Sequence, residues 1–141
     1  MDSNIKKIQV TPLKQIYVKG GDVFHCLKKS SLSFEGFGEA YFSKINYNHI
    51  KGWKKHHKMI MNLIVPIGSV KFIFTDGLGD FREELIGETC YSRITVPPGI
   101  WFAFMGKSNP FSLILNISNI EHDPIESSTN KLNTYKYDWD N

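Results

Sequence analysis

The chain has only two cysteines in 141 residues, Cys26 and Cys90, and they are not spaced as Cys-x-x-Cys. That excludes a cysteine-built zinc site and a disulfide framework, and leaves free thiols in a reducing compartment, the cytoplasm, as the expectation. Long apolar runs are lacking as well. The longest are residues 59–67 (MIMNLIVPI) and 111–117 (FSLILNI), far too short to cross a bilayer. The first residues show no apolar core of a secretory leader. There is little charge of one sign: 17 Lys and Arg stand against 14 Asp and Glu, a net charge of +3, without the basic stripe a nucleic-acid partner requires. No stretch keeps the period of a long amphipathic helix, and no repeat of fixed period is visible. Membrane, nucleic acid and helical-bundle readings all fall away.

What is present is punctuation and aromatic residues. Turn formers recur at Gly20-Gly21, Gly36, Gly52, Gly68, Gly77, Gly87, Pro97-Pro98-Gly99 and residues 106–110. Between them lie short runs rich in β-branched and aromatic residues: 39–47, 59–67, 69–76, 91–97, 100–105 and 111–118. Many short strands at this spacing predict a sandwich or barrel. In 69–76, Val70, Phe72 and Phe74 fall on one face. Lys71, Ile73 and Thr75 fall on the other, which is less polar than a solvated face, so this strand is expected to be covered on both sides or to lie at a dimer interface. In 111–118, one face carries Phe111, Leu113, Leu115 and Ile117; the other carries Ser112, Ile114, Asn116 and Ser118, the pattern of a polar-tinged cavity wall. Alternation also turns Tyr41 toward that cavity. The polar segment 126–141 ends in Tyr135, Tyr137 and Trp139, aromatics that call for docking back onto the body.

The one local excess of charge is residues 51–58 (KGWKKHHK), suited to a small anion, with a solvated loop as the plainer alternative. Of the adjacent His56 and His57 only one can face the inside of a barrel, because neighbouring strand residues point to opposite faces. Gly52 and Gly68 bracket this segment, and Pro97-Pro98-Gly99 follows later. That order resembles the two motifs of the cupins. The metal ligands of that frame are replaced, however: Asn62 stands at the acid position and Phe102 at the second-motif histidine, so no metal is expected.

The chain resembles the metal-free branch of the cupin superfamily that holds the dTDP-4-dehydrorhamnose 3,5-epimerases and the related sugar 3,4-ketoisomerases. The resemblance runs over roughly residues 20 to 139, through 20–28 (GGDVFHCLK), Lys51-Gly52-Trp53, 65–76, 96–104 (VPPGIWFAF) and 118–126. It implies an all-β, cupin-type double-stranded β-helix (jelly-roll) sandwich forming one domain over 1–141, with the tail 126–141 docked. It also implies an isomerase without cofactor, acting on a nucleotide-linked 4-keto-6-deoxyhexose in surface-polysaccharide synthesis. A base removes the proton beside the keto group, and a cationic or hydrogen-bonding group steadies the enolate. The resemblance places His56 and Lys54 as catalytic groups and Asp76 as a carboxylate orienting the histidine. Lys51 and Phe24 match family groups that contact the substrate, Trp101 is set to stack on its base or sugar, and Tyr41 and Asn116 are turned toward it by alternation alone. Two departures follow: Lys54 stands where the family has its usual catalytic histidine, and the acid tyrosine position falls near Leu115 or Asn116. Epimerase, 3,4-ketoisomerase and catalytically silent nucleotide-sugar binder therefore stay open. The family forms dimers that exchange N-terminal strands, so a homodimer is expected.

Overall fold

A computed structural model describes residues 4–140; the ends of the expected 1–141 unit, residues 1–3 and 141, lie outside the described residues. Twelve strands follow in order: β1 (Gln9–Pro12), β2 (Gln15–Ile16), β3 (Val23–Phe24), β4 (Glu39–Asn46), β5 (Ile50–His56), β6 (Met61–Ile67), β7 (Ser69–Thr75), β8 (Phe81–Gly87), β9 (Ser92–Val96), β10 (Trp101–Gly106), β11 (Phe111–Ser118) and β12 (Ser127–Thr129). Single 3₁₀ turns cover Asn4–Lys7, Pro124–Glu126 and Leu132–Thr134. The strands form two five-stranded sheets, β1-β9-β6-β11-β4 and β12-β5-β10-β7-β8, and a small β2-β3 hairpin. This is the cupin-type sandwich.

The alternation of the sequence explains the layers. Val70, Phe72 and Phe74 of β7 turn inward and meet Met61, Leu63 and Val65 of β6 and Ile94 of β9 in one core between the sheets. The other face of β7 is also covered: Ile73 packs with Trp53, Trp101 and Ala103, and against these lie Leu132, Tyr135, Tyr137 and Trp139 of the C-terminal segment. Lys71, 2% exposed, is sealed in with them, its Nζ 5.6 Å from the Tyr137 ring centre and 5.8 Å from that of Trp139. Of the two expectations for this face, coverage from within the chain is the outcome. Between β6 and β7 the chain reverses at Gly68, whose φ of 82° favours glycine and where a Cβ would stand 2.3 Å from Ser112 Oγ.

Two of the long strands, β5 and β8, lie outside the runs that the sequence marked, as do the short β2, β3 and β12. β8 carries Arg82, Glu83 and Glu84, yet it is the edge of the second sheet: Glu83 is exposed, and half-buried Arg82 pairs with Glu84 at 3.0 Å and donates to the Ile5 and Ile8 carbonyls. β5 is the basic run for which a solvated loop was the plainer alternative; it is an internal strand between β12 and β10.

The core makes one expectation concrete. Phe74→Ala removes a ring with no solvent exposure and is expected to cost about 3–5 kcal/mol in urea denaturation. Leu78→Ala, at a residue 89% exposed, should leave the midpoint unchanged.

Candidate active site

Between the two sheets lies a cavity of about 250 Å³. Its floor is apolar, with Met61, Leu63, Phe72, Phe102, Phe104 and Ile114; its polar wall is Tyr41, Ser43, Lys51, Lys54, His56 and Asn116. No carboxylate of the described residues lines it. The polar-tinged face of β11 does turn inward: Ser112, Ile114, Asn116 and Ser118 are all buried, and two of them reach the cavity.

β5 supplies the basic groups through a local irregularity. Simple alternation puts Lys51 and Lys54, three residues apart, on opposite faces. The pairing of β5 with β10 shifts, however: Lys54 lies opposite Phe102, Gly52 opposite Ala103 and Lys51 opposite Phe104. Trp53 is thus an extra residue, a β-bulge, and it brings Lys51, Lys54 and His56 to one face. Gly52 permits it, since its φ is 149° and a Cβ there would lie 2.3 Å from the Ala103 Cβ.

His56, 4% exposed, is held on several sides. Its ring stacks on Phe102 at 6.0 Å and 16°, its carbonyl accepts from the Gly99 amide at 2.7 Å, and its Nδ1 is bonded to Glu126 Oε1. The other oxygen of Glu126 accepts from the amides of His57, Lys58 and Met59 at 3.1–3.2 Å. With the carboxylate as acceptor, the neutral imidazole carries its proton on Nδ1, and no described residue bonds Nε2. Burial is the largest influence on His56 and pushes its pKa down; the Glu126 bond and charge push it up, and the charges of Lys54 and His122 push it down again. The sum lies below the ordinary 6.5. Burial alone works against an ionised Glu126, but the His56 bond and the Lys58 and Met59 amides outweigh it and hold that pKa below its usual value. The arrangement is a neutral base at neutral pH with a carboxylate ready to stabilise the imidazolium.

Around it, the Lys54 side chain makes no ion pair or hydrogen bond with any described residue, and Lys51 Nζ donates to the Lys44 carbonyl at 3.2 Å near the mouth. Tyr41 and Asn116, opposite each other in the β4-β11 ladder, are joined by an Asn116 Nδ2–H donated to Tyr41 Oη at 3.0 Å. That bond leaves the tyrosine proton available to the cavity.

Five expected site residues therefore meet: His56, Lys54, Lys51, Tyr41 and Asn116. Three do not. Asp76 lies in the turn after β7, where its carboxylate accepts from the Leu78 amide at 2.8 Å; the carboxylate on His56 is Glu126 instead. Trp101 lies on the far face of its sheet, under Lys55 and Tyr135. Phe24 is on the β2-β3 hairpin, 43% exposed, against Tyr91. Glu126 escaped the sequence because it reaches His56 only through the pairing of β12 with β5; Phe102, at the second-motif histidine position, is both core and cavity wall. The residues do not fit a cupin metal. Asn62 is tied to Thr95 Oγ1 at 2.6 Å, Phe102 has no ligand atom, and no three His, Cys, Asp or Glu converge among the described residues.

No protein-family model matches the sequence, and no curated protein does. Solved structures do match. A dTDP sugar isomerase from Desulfovibrio desulfuricans superposes with a TM-score of 0.89 at 29% identity, over 94% of this chain and 90% of that one. The sugar 3,4-ketoisomerase QdtA from Thermoanaerobacterium thermosaccharolyticum, in complex with TDP, gives 0.75 at 16%, over 90% of each chain. The 3,5-epimerase RmlC from Legionella pneumophila, in complex with dTDP-4-keto-L-rhamnose, gives 0.76 at 13%, over 92% of this chain and 75% of that one. Helices long and apolar enough to cross a membrane are absent among the described residues.

The dyad can be tested directly. Histidine ring NMR should place the His56 titration below 6.5, and Glu126→Gln, which removes the group pushing it up, should move it lower still. The depressed His56 value also means that the unfolded chain takes up this proton first as pH falls. The contribution of His56 to stability is therefore complete above pH 6.5 and is lost on acidification through its folded-state pKa. Urea midpoints measured between pH 8 and pH 5 should fall on the acid side, and His56→Asn should reduce that dependence.

Proposed function

We propose that this chain, a cupin of the group that holds the dTDP-sugar epimerases and 3,4-ketoisomerases, is an isomerase of a nucleotide-linked 4-keto-6-deoxyhexose. One observation carries the reading: a buried histidine, oriented through Nδ1 by a buried carboxylate, lines a cavity whose charged groups among the described residues are two lysines and no acid. The likeness to a dTDP sugar isomerase at 29% identity supports it.

In this reading Nε2 of His56 takes the proton from the carbon beside the ketone, whose carbonyl has acidified that C–H. Glu126 keeps the imidazole in the required tautomer and steadies it once charged. The electrons move onto the carbonyl oxygen, where the Lys54 ammonium and the Tyr41 hydroxyl can meet the developing charge. The apolar floor receives the deoxy end of the sugar. The cavity has room for a hexose but not for a nucleotide as well, so the diphosphate lies at the mouth near Lys51. Return of the proton to the opposite face, from Lys54 or Tyr41, gives C3 or C5 epimerisation. The 3,4-ketoisomerase reading has its own support, since the chain spans nine-tenths of the ketoisomerase QdtA but only three-quarters of the epimerase RmlC.

A homodimer belongs to the same proposal. The outer face of the first sheet leaves Phe42 63% and Ile67 47% exposed beside half-buried Leu113, Leu115 and Ile117, and the β2-β3 hairpin exposes Tyr17, Val18 and Phe24 nearby in sequence to β1. Such a stripe on an ordered sheet is a pairing surface. Light scattering is expected to give twice the chain mass, with Phe42→Lys shifting the protein toward monomer; a wild-type monomer at micromolar concentration would contradict the dimer.

The activity is tested by NMR in deuterated water with dTDP-, UDP-, GDP- and CDP-linked 4-keto-6-deoxyhexoses. Deuterium should enter at the carbon beside the ketone, and the product spectrum separates an inverted centre from a moved carbonyl. His56→Asn should slow exchange about 100-fold or more, and Lys51→Ala should raise KM about tenfold with less effect on kcat. Absence of exchange across the whole panel would leave a nucleotide-sugar binder without catalysis.

A further inference from the structure

The bulge in β5 needs something to hold it. An extra residue in a strand is accommodated only when its own side chain and amide are satisfied elsewhere. Trp53, 1% exposed, projects away from the cavity, into the layer between the second sheet and the C-terminal segment. Its amide donates to the Asn130 carbonyl at 3.1 Å, and the Asn130 amide donates back to the Trp53 carbonyl at 3.0 Å. Its indole N–H donates to the Leu132 carbonyl at 3.0 Å. Tyr135 meets the ring edge-on at 5.4 Å, with Trp139 at 6.2 Å and Phe81 at 6.3 Å. Every polar atom of the extra residue is thus bonded to the segment that follows Glu126.

We infer that Trp53 is a positioning residue for the cavity: anchored to residues 130–139 on the far side of the sheet, it keeps the bulge in place and so keeps Lys51, Lys54 and His56 facing the same way. In a β5 of this length without the bulge, Lys51 and Lys54 must face opposite sides. The tryptophan touches neither the cavity nor the groups that line it from other strands; it acts through the backbone on either side. The inference rests on the isomerase reading for its catalytic meaning, while its test needs no substrate.

His56 reports the position of Lys54. The charged and titratable groups facing it are Glu126, from the turn before β12, Lys54, from its own strand, and His122, from the loop after β11. In the full-length protein, Lys54→Gln should raise the His56 titration, read by histidine ring NMR, since the charge of Lys54 that pushes it down is removed. Trp53→Phe keeps a ring in the layer but loses the indole N–H. It should raise the titration in the same direction by letting Lys54 turn away, and the double variant should add nothing to Lys54→Gln alone. Tyr135→Phe is the milder variant: it removes only the hydroxyl that accepts from Asn130 Nδ2 at 3.1 Å, and a smaller shift of the same sign is expected. A residue that merely fills space would lower the melting temperature and leave the His56 titration at its wild-type value. That result in both Trp53→Phe and Tyr135→Phe overturns the inference, whether or not the wild type exchanges deuterium into any sugar.

Discussion

The bond between His56 and Glu126 joins residues 70 positions apart and sits at the seam where the last strand meets the second sheet. Burying a carboxylate costs several kcal/mol unless its lone pairs are used. Here one oxygen has an imidazole and the other has three backbone amides, so the ion is stabilised where an isolated one would be driven to protonate. Three of the four groups that satisfy it are main-chain amides just past β5. The carboxylate thereby fixes the end of β5, the start of the next loop and the ring orientation of the histidine together.

The two faces of the second sheet divide the work. On the inner face, Phe72, Phe102 and Phe104 form a dry floor beside cations, and a desolvated cation acts more strongly on a nearby charge than one in water. On the outer face a second aromatic cluster, assembled largely from residues 132–139, shields Lys71 and Ile73. A sheet covered on both sides has little freedom to flex, which suits a site whose groups come from six different strands.

Much of the architecture was legible from period and punctuation. The strands β4, β6, β7, β9, β10 and β11 follow the runs of β-branched and aromatic residues closely, and the inward Ser–Ile–Asn–Ser face of β11 was readable because a mixed face is neither core nor surface. Tyr41 and Asn116 followed from the same alternation. Lys51 and Lys54 on one face could not follow from it, because a bulge breaks the period of two; its one sequence signal is Gly52, a glycine inside the strand. Glu126 was invisible for a different reason: its partner is set by long-range pairing, whereas Asp76, followed by glycine, had the local look of a functional acid but serves its own turn. Trp101 alternates as a cavity residue would only if the opposite face of its strand were in water, and the C-terminal aromatics occupy that side.

The distance along the chain between histidine and carboxylate has a consequence for how the protein is made. During synthesis the strand bearing His56 emerges with its neighbours long before residue 126 exists. Until then the imidazole has no acceptor, the amides of His57, Lys58 and Met59 have no carboxylate to close on, and the tryptophan of the bulge has no carbonyl to reach. A nascent or prematurely stopped chain therefore has most of a barrel without an oriented base. The oriented imidazole–carboxylate pair is thus the last part of the cavity to be completed, once the final strand has been laid down.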